Sequence, residues 1–350
     1  MDVALFDFEL PPGQIAQRPA PRRDASRLLV LGRADGRIRA HATVADLPDF
    51  LSAGDLLVTN DTRVFPARLL GRRDPSGGAV ECLLLRRLDD EERWEALVHP
   101  GQKLKPGKLV VFEGQGMVLR GEILERHFHG RRTIRLRAEG GLDVDQVVDA
   151  IGHVPLPPYI HRPDEREDRE RYQTVFARAR GSVAAPTAGL HFTAGLLERL
   201  EALGVERTQV TLHVGYGTFK PVRAERVEDH GVDEEVFDIP EDAAARIERA
   251  RREGRRVIAV GTTTTRTLEA AALRGGGRVQ PGRGATDLFV YPGFRFQVLD
   301  GLFTNFHLPR SSLLMLVSAF AGREPVLAAY REAVSAGYRF YSYGDAMLVL

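Results

Sequence analysis

Between about residue 64 and residue 138 the chain changes texture, and this change most limits what it can fold into. Five short hydrophobic runs, at 80–85, 94–98, 109–112, 117–124 and 133–138, alternate with turn clusters such as Asp74-Pro-Ser-Gly-Gly78, Pro106-Gly107 and Glu113-Gly114. No helical period links them, so the stretch predicts an antiparallel sheet or small barrel. In the last run Ile134, Leu136 and Ala138 alternate with Arg135 and Arg137, which predicts a strand with one buried and one basic face. Either side of this stretch the pattern differs. Strands at 27–31 and 38–42 flank a turn at Gly36, and a short helical piece at 45–51 leads to a buried strand at 56–60. A Pro-rich connection, 152–160, follows the strand-rich stretch. A helix after His191 then leads to a strand at 207–213. A helix at 241–252 leads to a strand at 257–260, and another helix starts near Thr265. Alternating strands and helices build a layered sheet. The predicted fold class is therefore α/β: a layered α/β domain, residues 1–63 with 152–350, and an inserted antiparallel β-barrel domain, residues 64–151.

A chain of 350 residues has room for both. A formal net charge of +1 excludes a uniformly basic surface but leaves local basic faces open. Cys82 is the single cysteine, so no intramolecular disulfide or Cys-based zinc site can form. The ten histidines carry no HExxH or other metal spacing, and no metal is expected. Neither a GxSxG elbow, a P-loop nor a CxxC pair is present, which removes the standard hydrolase and NTPase signatures. The N-terminus lacks a signal-peptide pattern, and the longest apolar run, 313–321, is too short to span a bilayer. A cytoplasmic protein without membrane contact is expected.

Several segments have the composition of ligand sites. In Val257-Ile-Ala-Val-Gly261-Thr-Thr-Thr-Thr-Arg266 a strand meets a glycine, hydroxyls and a helix. Gly261, Thr262 and Thr263 there offer N–H and hydroxyl groups to a phosphate, carboxylate or ribose. The turn is similar to the ribose-phosphate loop of phosphoribosyltransferases, without their preceding acidic pair. Pro186, Thr187 and Gly189 precede His191 at a helix start. Gly215 and Gly217 follow the strand that ends at His213; without a third glycine they form no dinucleotide fingerprint. Asn60, Asp61 and Arg63 follow a hydrophobic strand, with Asp61 suited to acid–base work and Arg63 to holding an anion. Asn305 and His307 share one face if their segment is extended. Tyr341-Ser-Tyr343-Gly-Asp345 is a turn with two ring hydroxyls, and the mixed charges of 164–171 predict a solvated helix face. Residues 126–132 read as a hairpin tip carrying Arg126, Arg131, Arg132 and an exposed Phe128, a candidate surface for nucleic acid together with Arg135.

Taken in order, these segments resemble the S-adenosylmethionine:tRNA ribosyltransferase-isomerase family of queuosine biosynthesis. The matching residues include Ile15-Ala-Gln17 with Arg23-Asp-Ala-Ser-Arg-Leu-Leu29, and Asn60-Asp-Thr-Arg-Val64 with Pro66-Ala-Arg-Leu69. They continue through Pro155-Leu-Pro-Pro-Tyr-Ile160, Tyr172-Gln-Thr-Val175 and Val183-Ala-Ala-Pro-Thr-Ala-Gly-Leu-His-Phe192. Then come Thr211-Leu-His-Val-Gly215 with Gly217-Thr-Phe219, Gly261-Thr-Thr263 with Arg266, Leu268 and Glu269, Tyr291-Pro-Gly-Phe294, Thr304-Asn-Phe-His-Leu-Pro309 and Tyr343-Gly-Asp-Ala346. The resemblance implies an α/β domain with an inserted barrel. It implies S-adenosylmethionine as co-substrate and, as partner, a tRNA with a GUN anticodon carrying 7-aminomethyl-7-deazaguanine at the wobble position. The ribosyl group would move to the aminomethyl nitrogen and rearrange to an epoxycyclopentanediol, releasing adenine and methionine. His191, His213 and Asp61 are then the acid–base candidates, with acid and base unassigned and orientation an open role for Asp61. Pro186, Thr187, Gly189, Gly215, Gly217, Gly261, Thr262 and Thr263 would hold the co-substrate. Asn60, Arg63, Arg131, Arg132, Arg135, Asn305 and His307 would meet the tRNA or its base. A monomer without metal is implied. The chain departs from the family pattern at Tyr216, where a small residue is usual, at Thr264 and Thr265, and at Asp233, where a histidine is usual. A paralogue with a changed acceptor, working as a nucleoside or phosphoribosyl transferase, and a non-catalytic tRNA-binding protein stay open as alternatives.

Overall fold

The computed structural model describes residues 1–88, 92–219 and 221–350. Along the chain come β1 (Arg27–Leu31), β2 (Ile38–Thr43), β3 (Leu56–Asn60) and β4 (Thr62–Val64). Next are β5 (Arg68–Asp74), β6 (Ala79–Arg87), β7 (Arg93–His99), β8 (Leu109–Gly114), β9 (Met117–Arg126), β10 (Arg131–Ala138) and α1 (Val144–Ile151). The remainder holds α2 (Asp168–Arg171), β11 (Ala179–Ser182), α3 (Ala194–Ala202), β12 (Glu206–Leu212), β13 (Glu235–Ile239), α4 (Glu241–Arg252) and β14 (Val257–Val260). It closes with α5 (Thr262–Arg274), β15 (Gly282–Thr286), β16 (Gly301–Asn305), α6 (Ser312–Ala321), α7 (Arg323–Ser335) and β17 (Ala346–Val349).

Nine strands form one mixed sheet in the order β15-β13-β12-β3-β14-β16-β17-β1-β2. Its centre, β12-β3-β14-β16, is parallel. Both faces of a parallel sheet are covered, so its strands read as continuous apolar runs. Leu56-Leu-Val-Thr-Asn60 and Val257-Ile-Ala-Val260 are buried at every position. Leu56, Val58, Val257 and Ala259 face one core, with Ile247, Leu268, Leu314 and Leu327 from α4–α7. Leu57 and Ile258 face the other, with Phe192, Leu196 and Leu200.

From β3 the chain crosses to β4, which pairs parallel with β11 as a separate two-stranded ribbon. Beyond β4, strands β5 to β10 close an antiparallel barrel in the order β10-β7-β6-β5-β8-β9. Its core of Cys82, Leu84, Trp94, Phe112, Leu119, Ile123, Ile134 and Leu136 includes Val144, Val147 and Val148 of α1. Tight closure needs a bare backbone at Gly71, where a Cβ would stand 2.3 Å from the Val111 carbonyl oxygen.

Several local expectations are corrected. The helix expected near Thr265 begins at Thr262, and the piece at 45–51 is a 3-10 helix, Val44–Asp49. The charged run 164–171 is not a uniformly solvated face. Asp168 is buried and accepts two hydrogen bonds from Arg162 (2.6 and 2.9 Å) and one from the Tyr343 hydroxyl (2.9 Å). Arg132 is the clearest departure from the hairpin-tip reading. It has the parity of Ile134 and Leu136, so its side chain turns inward and only 2% of the residue is exposed. Its guanidinium donates to the carbonyls of Leu104 (2.9 Å), Arg131 (2.8 Å) and Gly101 (2.6 Å) and ties a loop to the barrel. Arg135 and Arg137 do point outward, but each is paired, with Glu122 (3.4 Å) and Glu92 (3.7 Å), so the outer face is mixed in charge. Phe128 stands 88% exposed. Among the described residues no single helix is long and apolar enough to cross a membrane.

Removing the Arg132 guanidinium takes this donor from the Leu104 and Gly101 carbonyls, which costs about 1–3 kcal/mol per buried group, while the Arg131 carbonyl keeps the His127 N–H (3.0 Å). Arg132→Ala should therefore lower stability by at least ~2 kcal/mol in urea unfolding, while Arg135→Ala, at an exposed ion pair, should cost under ~1 kcal/mol. Equal losses would contradict the structural role given to Arg132.

Candidate active site

Because β3, β12, β14 and β16 are parallel, their carboxyl ends lie on one edge of the sheet, the usual place for a ligand in such folds. Asn60, His213, Gly261 and Asn305 stand at those ends. Gly261 turns β14 into α5 with φ of 92°, a left-handed conformation that favours glycine, and its N–H donates to the Phe303 carbonyl (2.7 Å). The next two residues, Thr262 and Thr263, line a cleft. Thr264, Thr265 and Thr267 bond back to carbonyls four residues earlier, so their hydroxyls serve the helix.

The cleft is lined by Pro186, Thr187, Thr218, Gly261, Thr262, Thr263, Thr304, Asn305, His307, Leu313, Tyr341 and Ser342, with Ala185, Ala188 and Val214. Together with the open solvent at its mouth it spans about 490 Å³. Hydroxyls, amides and neutral rings make up its polar lining; among the described residues no carboxylate, ammonium or guanidinium borders it. The structure thus gathers seven of the expected site residues in one place: Pro186, Thr187, Gly261, Thr262, Thr263, Asn305 and His307. Tyr341 and Ser342 add to it from the C-terminal turn. Tyr341 has φ of 74°, strained for a non-glycine residue, and its carbonyl accepts from Asn305 Nδ2 (3.1 Å).

His191 lies behind this lining. Its Nε2 accepts from Asn305 Nδ2 (3.0 Å), and its ring meets Phe303 edge-on at 5.9 Å. Burial pushes its pKa down to about 4, so it is neutral at pH 7. His307 Nε2 lies 3.0 Å from Thr304 Oγ1, and burial pushes its pKa down to about 3.

Asp61 and His213 form a second group next to the first. The Asp61 carboxylate is buried and engaged on both oxygens, accepting from the Thr211 hydroxyl (2.6 Å) and pairing with Arg178 (2.9 Å). It therefore orients more readily than it transfers protons. His213 Nδ1 lies 2.9 Å from Thr62 Oγ1, which lies 2.7 Å from Ser182 Oγ; Ser182 accepts from the Val214 N–H (2.7 Å). Burial lowers the His213 pKa and the Asp61 charge partly offsets this. Asn60 joins the groups: its Oδ1 accepts from Leu212 (3.0 Å) and Thr62 (3.1 Å), and its Nδ2 donates to the Leu212 carbonyl (3.0 Å) and Thr263 Oγ1 (3.3 Å).

Other expected site residues lie outside the cleft. Gly189 is a packing glycine, where a Cβ would press on Phe176 and Thr174 at 2.8 Å. The Gly215 amide donates to Glu235 Oε1 (2.8 Å). Glu235 also accepts from Thr218 (3.3 Å) and pairs with buried Arg266, an anchor that sequence reasoning missed because its two members lie far apart in the chain. Gly217 lines an adjoining recess with His230, Asp233, Arg266 and Phe289, which shares Thr218 and Leu313 with the cleft. Arg63 is exposed and borders a separate recess with Asp149 and Arg180. Arg131 bridges Glu95 (2.9 Å) and Asp233 (2.8 Å), linking the barrel to the loop at that adjoining recess. Among the described residues no group of three or more His, Cys, Asp or Glu side chains is placed to hold a metal ion.

Fold and cleft together are those of an α/β protein carrying a closed barrel and an uncharged, hydroxyl-lined cleft at the strand ends. A model of the queuosine biosynthesis protein family matches residues 3–349. S-adenosylmethionine:tRNA ribosyltransferase-isomerases of Heliobacterium modesticaldum and Desulfitobacterium hafniense are 56% and 53% identical to this chain over 350 residues, with each chain covered in full. A crystal structure of S-adenosylmethionine tRNA ribosyltransferase from Thermotoga maritima is 40% identical, covers 99% of this chain and 100% of that one, and superposes with a TM-score of 0.55. The chain belongs to the queuosine biosynthesis protein family, and it is a ribosyltransferase-isomerase.

His191 and His307 bind a proton more weakly folded than unfolded, because their pKa values fall from 6.5 to about 4 and about 3. Their contribution to stability is complete above pH 6.5 and is lost as pH falls through that window. Unfolding at pH 5 should take up about one proton fewer in His307→Gln than in the wild type, read from the pH slope of the unfolding free energy. Identical slopes would mean that His307 is not held neutral.

Proposed function

We propose that this chain transfers the ribosyl group of S-adenosylmethionine to the aminomethyl nitrogen of 7-aminomethyl-7-deazaguanine at the wobble position of a GUN tRNA, and isomerises it to epoxyqueuosine. Adenine and methionine leave. The observation that carries this reading is the convergence of four distant segments, at 185–188, 261–263, 304–307 and 341–342, on one uncharged, hydroxyl-rich cleft. Threonine hydroxyls suit the ribose. The first amides of α5 have no partner within the helix and suit the methionine carboxylate. In this reading residues 1–63 with 152–350 form the catalytic domain and residues 64–151 an inserted recognition domain. The protein works as a cytoplasmic monomer and draws its leaving groups from the co-substrate alone, without a metal.

The reaction needs an acid, to protonate a ring nitrogen of departing adenine, and a base, to take the proton from the carbon beside the sulfonium. The sulfonium acidifies that carbon and makes methionine a good leaving group. His213 is the acid–base candidate the geometry favours, since Thr62 engages one ring nitrogen and Asp61 stands near. Asp61 and His191 are positioning residues in this scheme, acting through His213 and Asn305. Holding the two substrates together supplies the rest of the barrier reduction.

Purified protein with S-adenosylmethionine and a prefolded anticodon stem-loop carrying the modified base should release adenine and methionine in EDTA. His213→Ala should slow release at least ~10²-fold. Adenine release without the stem-loop would favour a nucleoside-type transferase, and binding of both substrates without release would favour a non-catalytic tRNA-binding protein.

A further inference from the structure

A wide groove runs between the barrel and the Pro-rich connection 152–164. Counted to its mouth it encloses about 1630 Å³, several times the space of the cleft. Leu70, Leu83 and Leu97 form the barrel wall, and Pro155, Leu156 and Pro158 face them. Its arginines are already paired, Arg68 with Glu81 (2.7 Å) and Arg162 with Asp168 (2.6 Å), and Asp164 is hydrogen-bonded to His153 Nδ1 (3.0 Å). Such a surface is poorly suited to phosphates and well suited to the faces of unstacked bases.

Two chain segments border both the groove and the cleft. Val183 and Tyr216 line the groove. Two residues further along each segment, Ala185 and Thr218 line the cleft. Tyr216 is half-buried, packs against the barrel core and opens the 3-10 turn Tyr216–Phe219. Glu235 pins that turn at the Gly215 amide and the Thr218 hydroxyl and is itself anchored on Arg266. The aromatic side chain at the junction is therefore carried on a fixed backbone, as an aromatic recognition element requires.

We propose that Tyr216 is the platform on which the acceptor base stacks as it leaves the groove for the cleft, which makes it a specificity-determining residue for the nucleic-acid substrate. This rests on the ribosyl-transfer reading above. Loss of a stacked aromatic weakens binding of one base roughly 5- to 150-fold, equivalent to about 1–3 kcal/mol.

The test compares two synthetic anticodon stem-loops, one carrying 7-aminomethyl-7-deazaguanine at the wobble position and one abasic there, at fixed salt. The wild type should bind the first more tightly by that factor. In Tyr216→Ala the ratio should collapse to within about twofold, while Tyr216→Phe should keep it. KM for S-adenosylmethionine should stay unchanged in both variants. Tyr216→Leu preserves apolar packing against the barrel and should behave like Tyr216→Ala, which separates stacking from folding. A ratio near one in the wild type, or an unchanged ratio in Tyr216→Ala and Tyr216→Leu, would overturn the platform while wild-type adenine release leaves the reaction standing. A wild type that neither binds the modified loop nor releases adenine would overturn both.

Discussion

The carboxamide of Asn60 holds the carboxyl edge of this sheet together. It is buried at the end of β3, where the chain turns away toward the barrel. Both amide atoms are engaged, with Leu212 of β12, Thr62 of β4 and Thr263 at the start of α5. Only a side chain that donates and accepts in one plane can satisfy all of these groups. Asn305 does similar work two strands away, at the end of β16, between His191 and the Tyr341 carbonyl. Two buried amides thus fix the segments that form the cleft, and a buried network that is fully satisfied rigidifies what it joins.

A further consequence is a site kept free of formal charge. Both histidines nearest the cleft are buried and neutral at pH 7, and the nearby Asp61 carboxylate is paired with Arg178. In the proposed function the positive charge of a sulfonium would meet dipoles and hydroxyls in place of fixed counter-ions. Charged residues instead join the larger parts of the molecule, as Arg131 does between Glu95 and Asp233.

Much of this fold is legible in the sequence because the two halves differ in period. Alternation at Ile134, Leu136 and Ala138 marks a barrel strand, and Val257-Ile-Ala-Val260 with Gly261 marks a buried strand and its turn. Strand β5 is missed because Arg68-Leu-Leu-Gly-Arg-Arg-Asp74 is mostly charged, and β13 because acidic residues precede Val236 and Phe237. Glycines and threonines at strand ends locate the cleft, since their chemistry is local. Roles are less legible, because they depend on partners far along the chain. Arg178 engages Asp61 from 117 residues away, and Asn305 engages His191 from 114. The place of Arg132 is legible in its parity with Ile134, which puts it inside, although the basic residues around it suggest an exposed tip.

In the proposed function the amide-braced cleft at the strand ends holds the co-substrate while the groove beside it holds the nucleic acid. A crystal structure with S-adenosylmethionine bound tests it most directly. The adenosyl ribose is expected against Thr187, Thr262 and Thr263, the carboxylate at the first amides of α5, and the groove beyond Tyr216 left open. Density for the ligand in the groove, or in the recess beside Arg63, would contradict it.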